Sequence, residues 1–281
     1  MLPFPRAHWL VLFFLLLTFA AFMPSYFAVL PTAPWVHHLH GITATLWIVL
    51  LATQNWTAHH GKWNWHVRSG MASMALVPAF TVGGLLVTHH MLRTESLFNE
   101  LFGQALSAAD LVVSVAFVTL YTLALRNRRT PDLHARYMLA TVILLMGPSL
   151  SRFLANYVPG FLVRSAETLP RLGAALDASF VIAAAFCLFL ILRDRASGKP
   201  IAPFVGALIA TVSMFLSYHL IGYQATYASV TAWISGLPVW HVVLFGFVTS
   251  SAAIAWGWLD PRARSSARAE AGDITEVDAV G

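Results

Sequence analysis

The sequence has few charged residues and almost no cysteine. Charged side chains make up 10% of its 281 residues, whereas a soluble domain averages roughly 25%. The single cysteine, Cys187, excludes an internal disulfide and any metal or iron–sulfur site built from several cysteines. The sequence contains no glycine-rich phosphate loop and no His-Glu-x-x-His zinc motif. These shortages exclude an ordinary cytosolic enzyme, a nucleic-acid-binding module and a disordered chain.

Long apolar runs take the place of the missing charge. Hydrophobic residues make up 58% of the chain, and a helix needs about 20 mostly apolar residues to cross a bilayer. The runs are continuous rather than alternating, which favours helices over barrel strands. We therefore predict an all-α, polytopic membrane bundle of eight transmembrane helices. The predicted spans cover residues 8–28, 37–56, 67–89, 108–125, 135–157, 174–192, 203–222 and 238–258.

The placement of Lys and Arg predicts how these helices are oriented. With a cytoplasmic amino terminus, Arg152 lies inside a span and nearly all other basic residues face the cytoplasm, as the positive-inside rule requires. The basic residues in outer loops are Arg93, Arg164 and Arg171. We therefore expect both termini in the cytoplasm of a bacterial cell, with the bundle in the inner membrane. The expected division is a transmembrane domain over 1–259 and a disordered cytoplasmic tail over 260–281.

Histidine is abundant, with 12 residues, and the predicted topology sorts it into two layers. Ionisable groups at membrane depth are costly and are therefore functional candidates. Imidazole commonly binds Zn, Cu and Fe, so histidines that meet at one depth predict a metal or haem site. A proton or substrate pathway without metal, or interfacial histidines without any ligand, are the alternatives. The candidate metal ligands of the outer layer are His37, His40, His89, His90, His219 and His241.

Other polar residues accompany the outer layer. Trp47 and Gln54 lie seven residues apart on one face of the second span and are predicted to line a route inward. Arg152 in the fifth span needs an anionic partner or a water-filled cavity. Its candidate carboxylate partners are Asp110 and Asp177, which begin the fourth and sixth spans near the outer face.

The inner layer offers a second pair of candidate ligands. His66 and His134 begin parallel predicted helices at the same depth, and each is followed two residues later by an arginine, Arg68 or Arg136. Two such imidazoles would suit the axial positions of a b-type haem, with the arginines beside its propionates. The alternative is that each His-x-Arg unit is only a cytoplasmic anchor.

Several short motifs carry a resemblance to a known group of proteins. They are Met23-Pro24-Ser25-Tyr26-Phe27, His38-Leu39-His40-Gly41, Trp47, Gln54, His66-x-Arg-x-Gly70 and His134-x-Arg-x-Met138. Together they resemble a widespread group of bacterial multi-pass membrane proteins that has no assigned activity. The resemblance implies the multi-pass architecture and a role for His40, Gln54, His66 and His134, and it implies no reaction. In overall plan alone, the chain is similar to small haem-binding and oxidase-assembly membrane proteins.

The leading functional expectation is binding of haem b or of a transition metal (Cu, Fe or Zn) with a redox or electron-transfer role. The partners would be the lipid bilayer and other membrane respiratory or redox proteins, and no nucleic acid. One alternative is a proton-coupled permease or small-molecule carrier that uses Arg152, Asp110 and Asp177, with spans broken at Pro78 and Pro148. Another is a non-catalytic accessory or assembly subunit of a larger membrane complex.

Overall fold

The computed structural model describes residues 2–260, and this part of the chain is mostly helical and contains no strands. Short 3₁₀ and π turns precede or follow some of its α-helices. The α-helices are α1 (Ala7–Phe22), α2 (Trp35–His59), α3 (Trp63–Arg93), α4 (Gln104–Arg126), α5 (Pro131–Leu144), α6 (Met146–Tyr157), α7 (Arg171–Ala196), α8 (Ala202–Leu216), α9 (Ala225–Gly236) and α10 (Val239–Leu259). Apart from Asp260, the predicted tail lies outside the described residues.

Seven stretches within residues 2–260 are long and apolar enough to cross a membrane. They are α2, α3, α4 with the turn before it, α5 together with α6, α7, α8 with the turn after it, and α10. The remaining predicted span, α1, is a helix of 16 residues and is about 24 Å long at 1.5 Å per residue. The sequence prediction of an all-helical, multi-pass membrane bundle is therefore confirmed.

The fifth predicted span contains a break. Helix α5 ends at Leu144 and α6 begins at Met146. Pro148 explains the position of the break, because proline has no N–H and its ring clashes with the carbonyl four residues earlier, which belongs to Leu144. Pro78 has no such effect, since α3 continues through it.

Helix α4 lies at the centre of the bundle, where it packs against α3, α5, α8 and α10. Helix α1 packs against α2 and α6, and α7 packs against α6 and α8. Close approach depends on small residues, as is usual between membrane helices. A Cβ atom at Gly257 of α10, for example, would lie 2.8 Å from the Thr122 carbonyl oxygen of α4. The largest fully buried side chains include Trp47, Tyr121 and Phe204.

The amino-terminal residues fold back onto the bundle through Phe4. Its φ angle of 57° lies in the left-handed region, which is unusual for a bulky residue. The ring lies 4.9 Å from the guanidinium carbons of both Arg136 and Arg193 and contacts the edge of Phe204. The Phe4 carbonyl accepts a hydrogen bond of 3.0 Å from the Asn55 amide of α2. Phe4 therefore fastens this segment to α2, α5, α7 and α8.

Candidate functional site

Arg152 lies about two turns after the break, in the middle of α6. Its guanidinium donates a hydrogen bond of 3.2 Å to the Pro148 carbonyl and lies 4.7 Å from the centre of the Phe22 ring of α1. The side chain is half-buried, and within residues 2–260 it forms no salt bridge with a carboxylate. A guanidinium has five N–H donors, so most of the hydrogen-bonding capacity of Arg152 is available to a ligand or to water.

Three other ionisable side chains lie near Arg152. The guanidinium is near enough to Asp110 of α4, and to His37 and His40 of α2, for their charges to interact. Asp110 accepts a hydrogen bond of 2.8 Å from the Thr88 hydroxyl of α3. We refer to Arg152, Asp110, His37 and His40 as the Arg152 cluster. Charges interact strongly at such a site because little water is present to screen them.

His40 is held tightly between α2 and α3. Its ring stacks on Phe80, with 5.1 Å between the ring centres. Gly83 and Gly84 make room for it, since a Cβ atom at Gly83 would lie 3.1 Å from the His40 Cα. The Nδ1 atom of His40 is buried and has no hydrogen-bond partner within the described residues. Buried nitrogen atoms without a partner are rare, so a hydrogen-bonding group of a ligand, or a water molecule, would be stabilised beside this atom.

Two further histidines, His90 and His38, lie at the same end of the bundle. The rings of His37 and His90 meet edge to face, with 5.6 Å between their centres. His38 points elsewhere, with its Nδ1 atom 2.8 Å from the Tyr26 hydroxyl. Burial raises the pKa of the Tyr26 phenol, which keeps this hydroxyl protonated and able to donate to His38.

The other predicted metal ligands each have a separate partner. The His89 ring nitrogen lies 3.0 Å from the Leu237 carbonyl. His219, placed in the π turn after α8, lies 2.7 Å from the Asp177 carboxylate of α7. The remaining candidate, His241, is exposed and stacks on the ring of Trp240.

The six predicted outer ligands therefore do not gather at one point. His37, His40 and His90 lie near one another, whereas the other three have partners of their own. Nowhere in residues 2–260 do three or more His, Cys, Asp or Glu side chains form a group suited to holding a metal ion. Sequence spacing placed these histidines at a common end of the bundle, and it could not predict the direction in which each ring points.

His66 and His134 form a second feature at the opposite end of the bundle. The Nδ1 atom of His66 lies 3.2 Å from the Gln54 carbonyl, and that of His134 lies 2.9 Å from the Ala124 carbonyl. Because a carbonyl can only accept, each Nδ1 carries the proton and each Nε2 has a free lone pair. The two rings are close enough to interact electrostatically. We refer to them as the His66–His134 pair.

The two arginines that follow these histidines differ from each other. Arg68 is exposed. Arg136 is buried, and its Nε atom lies 2.6 Å from the Asp194 carboxylate of α7, which is also buried. Arg136 also bonds to the Asp132 carboxylate at 2.8 Å. Both carboxylates neutralise the Arg136 guanidinium, so Arg136 has little remaining capacity to bind another anion. Asp194 was not predictable as the partner of Arg136, because the two residues lie 58 positions apart in the sequence.

Trp47 and Gln54 lie on α2 between the two polar ends of the bundle. Trp47 is fully buried, and its indole N–H donates to the Thr141 hydroxyl of α5 at 3.2 Å. The Gln54 amide donates to the Ser69 hydroxyl at 2.6 Å and to the His66 carbonyl at 2.8 Å. Gln54 thus belongs with the His66–His134 pair, while Trp47 lies in the apolar middle of the bundle.

The fold defines the class of protein as a multi-pass helical membrane protein with polar side chains inside the bundle. The chain matches no protein-family model, no curated protein and no solved structure. The two polar sites are therefore the features of the molecule that bear on its function.

Proposed function

We propose that the bundle crosses a bacterial inner membrane eight times, with α1 as the first span and both termini in the cytoplasm. The helices of the structure coincide with the eight apolar runs of the sequence, which supports this arrangement. The excess of basic residues on one side supports the orientation. With this orientation, the Arg152 cluster lies in the outer half of the membrane and the His66–His134 pair lies at the cytoplasmic side.

We propose that the protein is a proton-coupled carrier that binds a small monocarboxylate at the Arg152 cluster. The observation that carries this proposal is a guanidinium at membrane depth that has no salt-bridge partner within residues 2–260. Such a charge is costly and is characteristic of substrate and ion pathways. The planar fork of an arginine matches a carboxylate through two parallel hydrogen bonds. The interrupted span next to Arg152 is also typical of carriers.

The charges of the cluster account for coupling to a proton. When the site is empty, the positive charge of Arg152 balances the negative charge of Asp110. A bound monocarboxylate adds one negative charge, and uptake of one proton by Asp110 or His40 restores neutrality. Because a net charge inside the membrane is unfavourable, the anion and the proton bind best together. The expected transport is therefore electroneutral.

Ligand binding to purified protein tests this proposal. Acetate, lactate and benzoate are suitable probes, and at least one should raise the unfolding temperature as its concentration increases, because a ligand of the folded state stabilises it. Arg152→Gln should abolish the increase. Arg171→Gln, which removes an exposed arginine at the start of α7, should retain it. Absence of stabilisation by all three carboxylates in the wild-type protein would contradict the proposal.

The role of Asp110 is tested separately in proteoliposomes. For the carboxylate that binds, uptake by the wild-type protein should bring protons into the vesicle. Asp110→Asn resembles the protonated acid and should leave anion uptake in place without accompanying proton movement. Proton movement that is unchanged in this variant would assign the coupling to His40 instead, and His40→Gln should then abolish it.

A second candidate function is redox chemistry with haem b or a transition metal held by the His66–His134 pair. The observation that favours it is the anchoring of each Nδ1 atom by a backbone carbonyl, which is how proteins orient histidines whose Nε2 atoms bind a metal. A bound haem would supply one-electron transfer to other membrane redox proteins. Visible spectra of oxidised and reduced protein, together with elemental analysis, test this function. His66→Ala should remove a reducible Soret band or the metal, and a wild-type protein that has neither would contradict it.

A further inference from the structure

Four buried aromatic rings form a layer across the middle of the bundle. Phe80 of α3 contacts Phe117 of α4, with ring centres 4.8 Å apart. Trp47 of α2 contacts Phe117 at 5.1 Å and Tyr121 at 5.4 Å. Trp47 and Tyr121 are fully buried. We refer to these four rings as the aromatic layer.

Polar sites adjoin the aromatic layer on both sides. On one side, His40 of the Arg152 cluster stacks directly on Phe80. On the other, the Tyr121 hydroxyl lies 2.6 Å from that of Ser73, and Gln54 joins α2 to the beginning of α3. Trp47 lies seven residues from both His40 and Gln54 along α2, which corresponds to about 10 Å in each direction. The aromatic layer is therefore the apolar barrier between two polar sites within one bundle.

The broken span connects this barrier to the Arg152 cluster. Thr141 of α5 accepts the indole hydrogen bond of Trp47 and donates its own hydroxyl to the Met138 carbonyl. Arg152 lies beyond the break, on α6. Interrupted helices are places where a span can bend. Bending at the break on ligand binding would move α6 relative to α5. It would therefore affect Thr141 of α5, which within residues 2–260 is the side chain that accepts the Trp47 indole hydrogen bond.

We propose that the aromatic layer is the closed barrier of the transport route and that the hydrogen bond from Trp47 to Thr141 keeps it closed. This inference depends on the proposed carrier function, because a barrier requires a route. The route passes from the Arg152 cluster, between α2, α3 and α4, to Gln54 and the His66–His134 pair. Binding at Arg152 opens it by bending the span at the break.

A proton-leak measurement on full-length protein in liposomes tests the barrier, with a pH-sensitive dye inside the vesicles and no carboxylate present. Thr141→Val keeps the side-chain volume and removes the acceptor, and Trp47→Phe removes the donor. Loss of one hydrogen bond of ordinary net strength shifts an open–closed equilibrium about fivefold. Each variant should therefore raise the leak about fivefold. The double variant should leak no more than either single variant, because both substitutions remove the same bond.

Matched controls separate the barrier from general loosening of the fold. Thr122→Val makes the same chemical change at a buried hydroxyl that has no partner within residues 2–260, and Met214→Ala empties space in a different core cluster. Both should leave the leak at the wild-type level. If Thr141→Val and Trp47→Phe leak no more than the controls, the proposed barrier is wrong. This result is independent of carboxylate binding, so it is distinguishable from failure of the carrier proposal, which appears as absence of ligand stabilisation.

Discussion

Arg152 and Arg136 show two ways in which one bundle accommodates a charged side chain. Arg136 is buried with two carboxylates, and its hydrogen bond to each of them is 2.8 Å or shorter. Arg152 is half-buried, with a hydrogen bond to its own helix and an aromatic ring beside it. The first arrangement is self-sufficient and therefore structural. The second leaves donors free and is therefore the better candidate for binding a ligand.

At this scale we predict that the Arg136–Asp194 pair maintains the fold. Asp194→Asn leaves a buried guanidinium poorly compensated, and such a change costs about 3–5 kcal/mol. The measurement is the unfolding temperature of the purified protein. Arg195→Gln, at an exposed position next in sequence, is the control and should have almost no effect. An Asp194→Asn variant as stable as this control would show that the pair contributes little.

At the scale of helices, the contact between α2 and α3 brings His40 into place. Gly83 approaches the backbone of His40, whereas Gly84 approaches only its imidazole ring. A backbone atom cannot move aside as easily as a side chain. The position of His40 is therefore determined mainly by the absence of a side chain at Gly83.

We predict a difference between two neighbouring glycine substitutions in α3. Gly83→Ala would place a Cβ atom 3.1 Å from the His40 Cα, and overpacking of this kind costs about 1–3 kcal/mol. Gly84→Ala would make ordinary contacts of 3.6 Å with the His40 ring and should be nearly neutral. Denaturation of the two variants in the same detergent measures the difference. Equal stability would mean that α2 and α3 are less closely held than the structure indicates.

At the scale of the whole molecule, the positions of the long apolar helices were predictable from sequence, whereas the short helix α9 and the directions of side chains were not. Apolar runs reveal spans because a bilayer imposes length and composition on any helix that crosses it. The choice of Arg152 and Asp110 as neighbours followed from the cost of charge at membrane depth. His219 and His241 were assigned to the same site because depth alone cannot give rotation about a helix axis. The pairing of Trp47 with Thr141 depends on how α2 packs against α5, and no local sequence pattern reports it.

We predict the side of the membrane on which each end of α7 lies. Ser165→Cys and Ser197→Cys introduce thiols at exposed positions that flank this helix. In intact cells, a membrane-impermeant maleimide should label the Ser165 variant and should label the Ser197 variant only after permeabilisation. The native Cys187 is fully buried and should remain unlabelled in both. The reverse pattern would invert the proposed topology.

The attachment of Phe4 has a practical consequence for anyone who purifies this protein. An affinity tag fused at the amino end would be attached three residues from Phe4 and could disturb the contacts of its ring with Arg136 and Arg193. A tag placed elsewhere would leave the contacts of Phe4 intact.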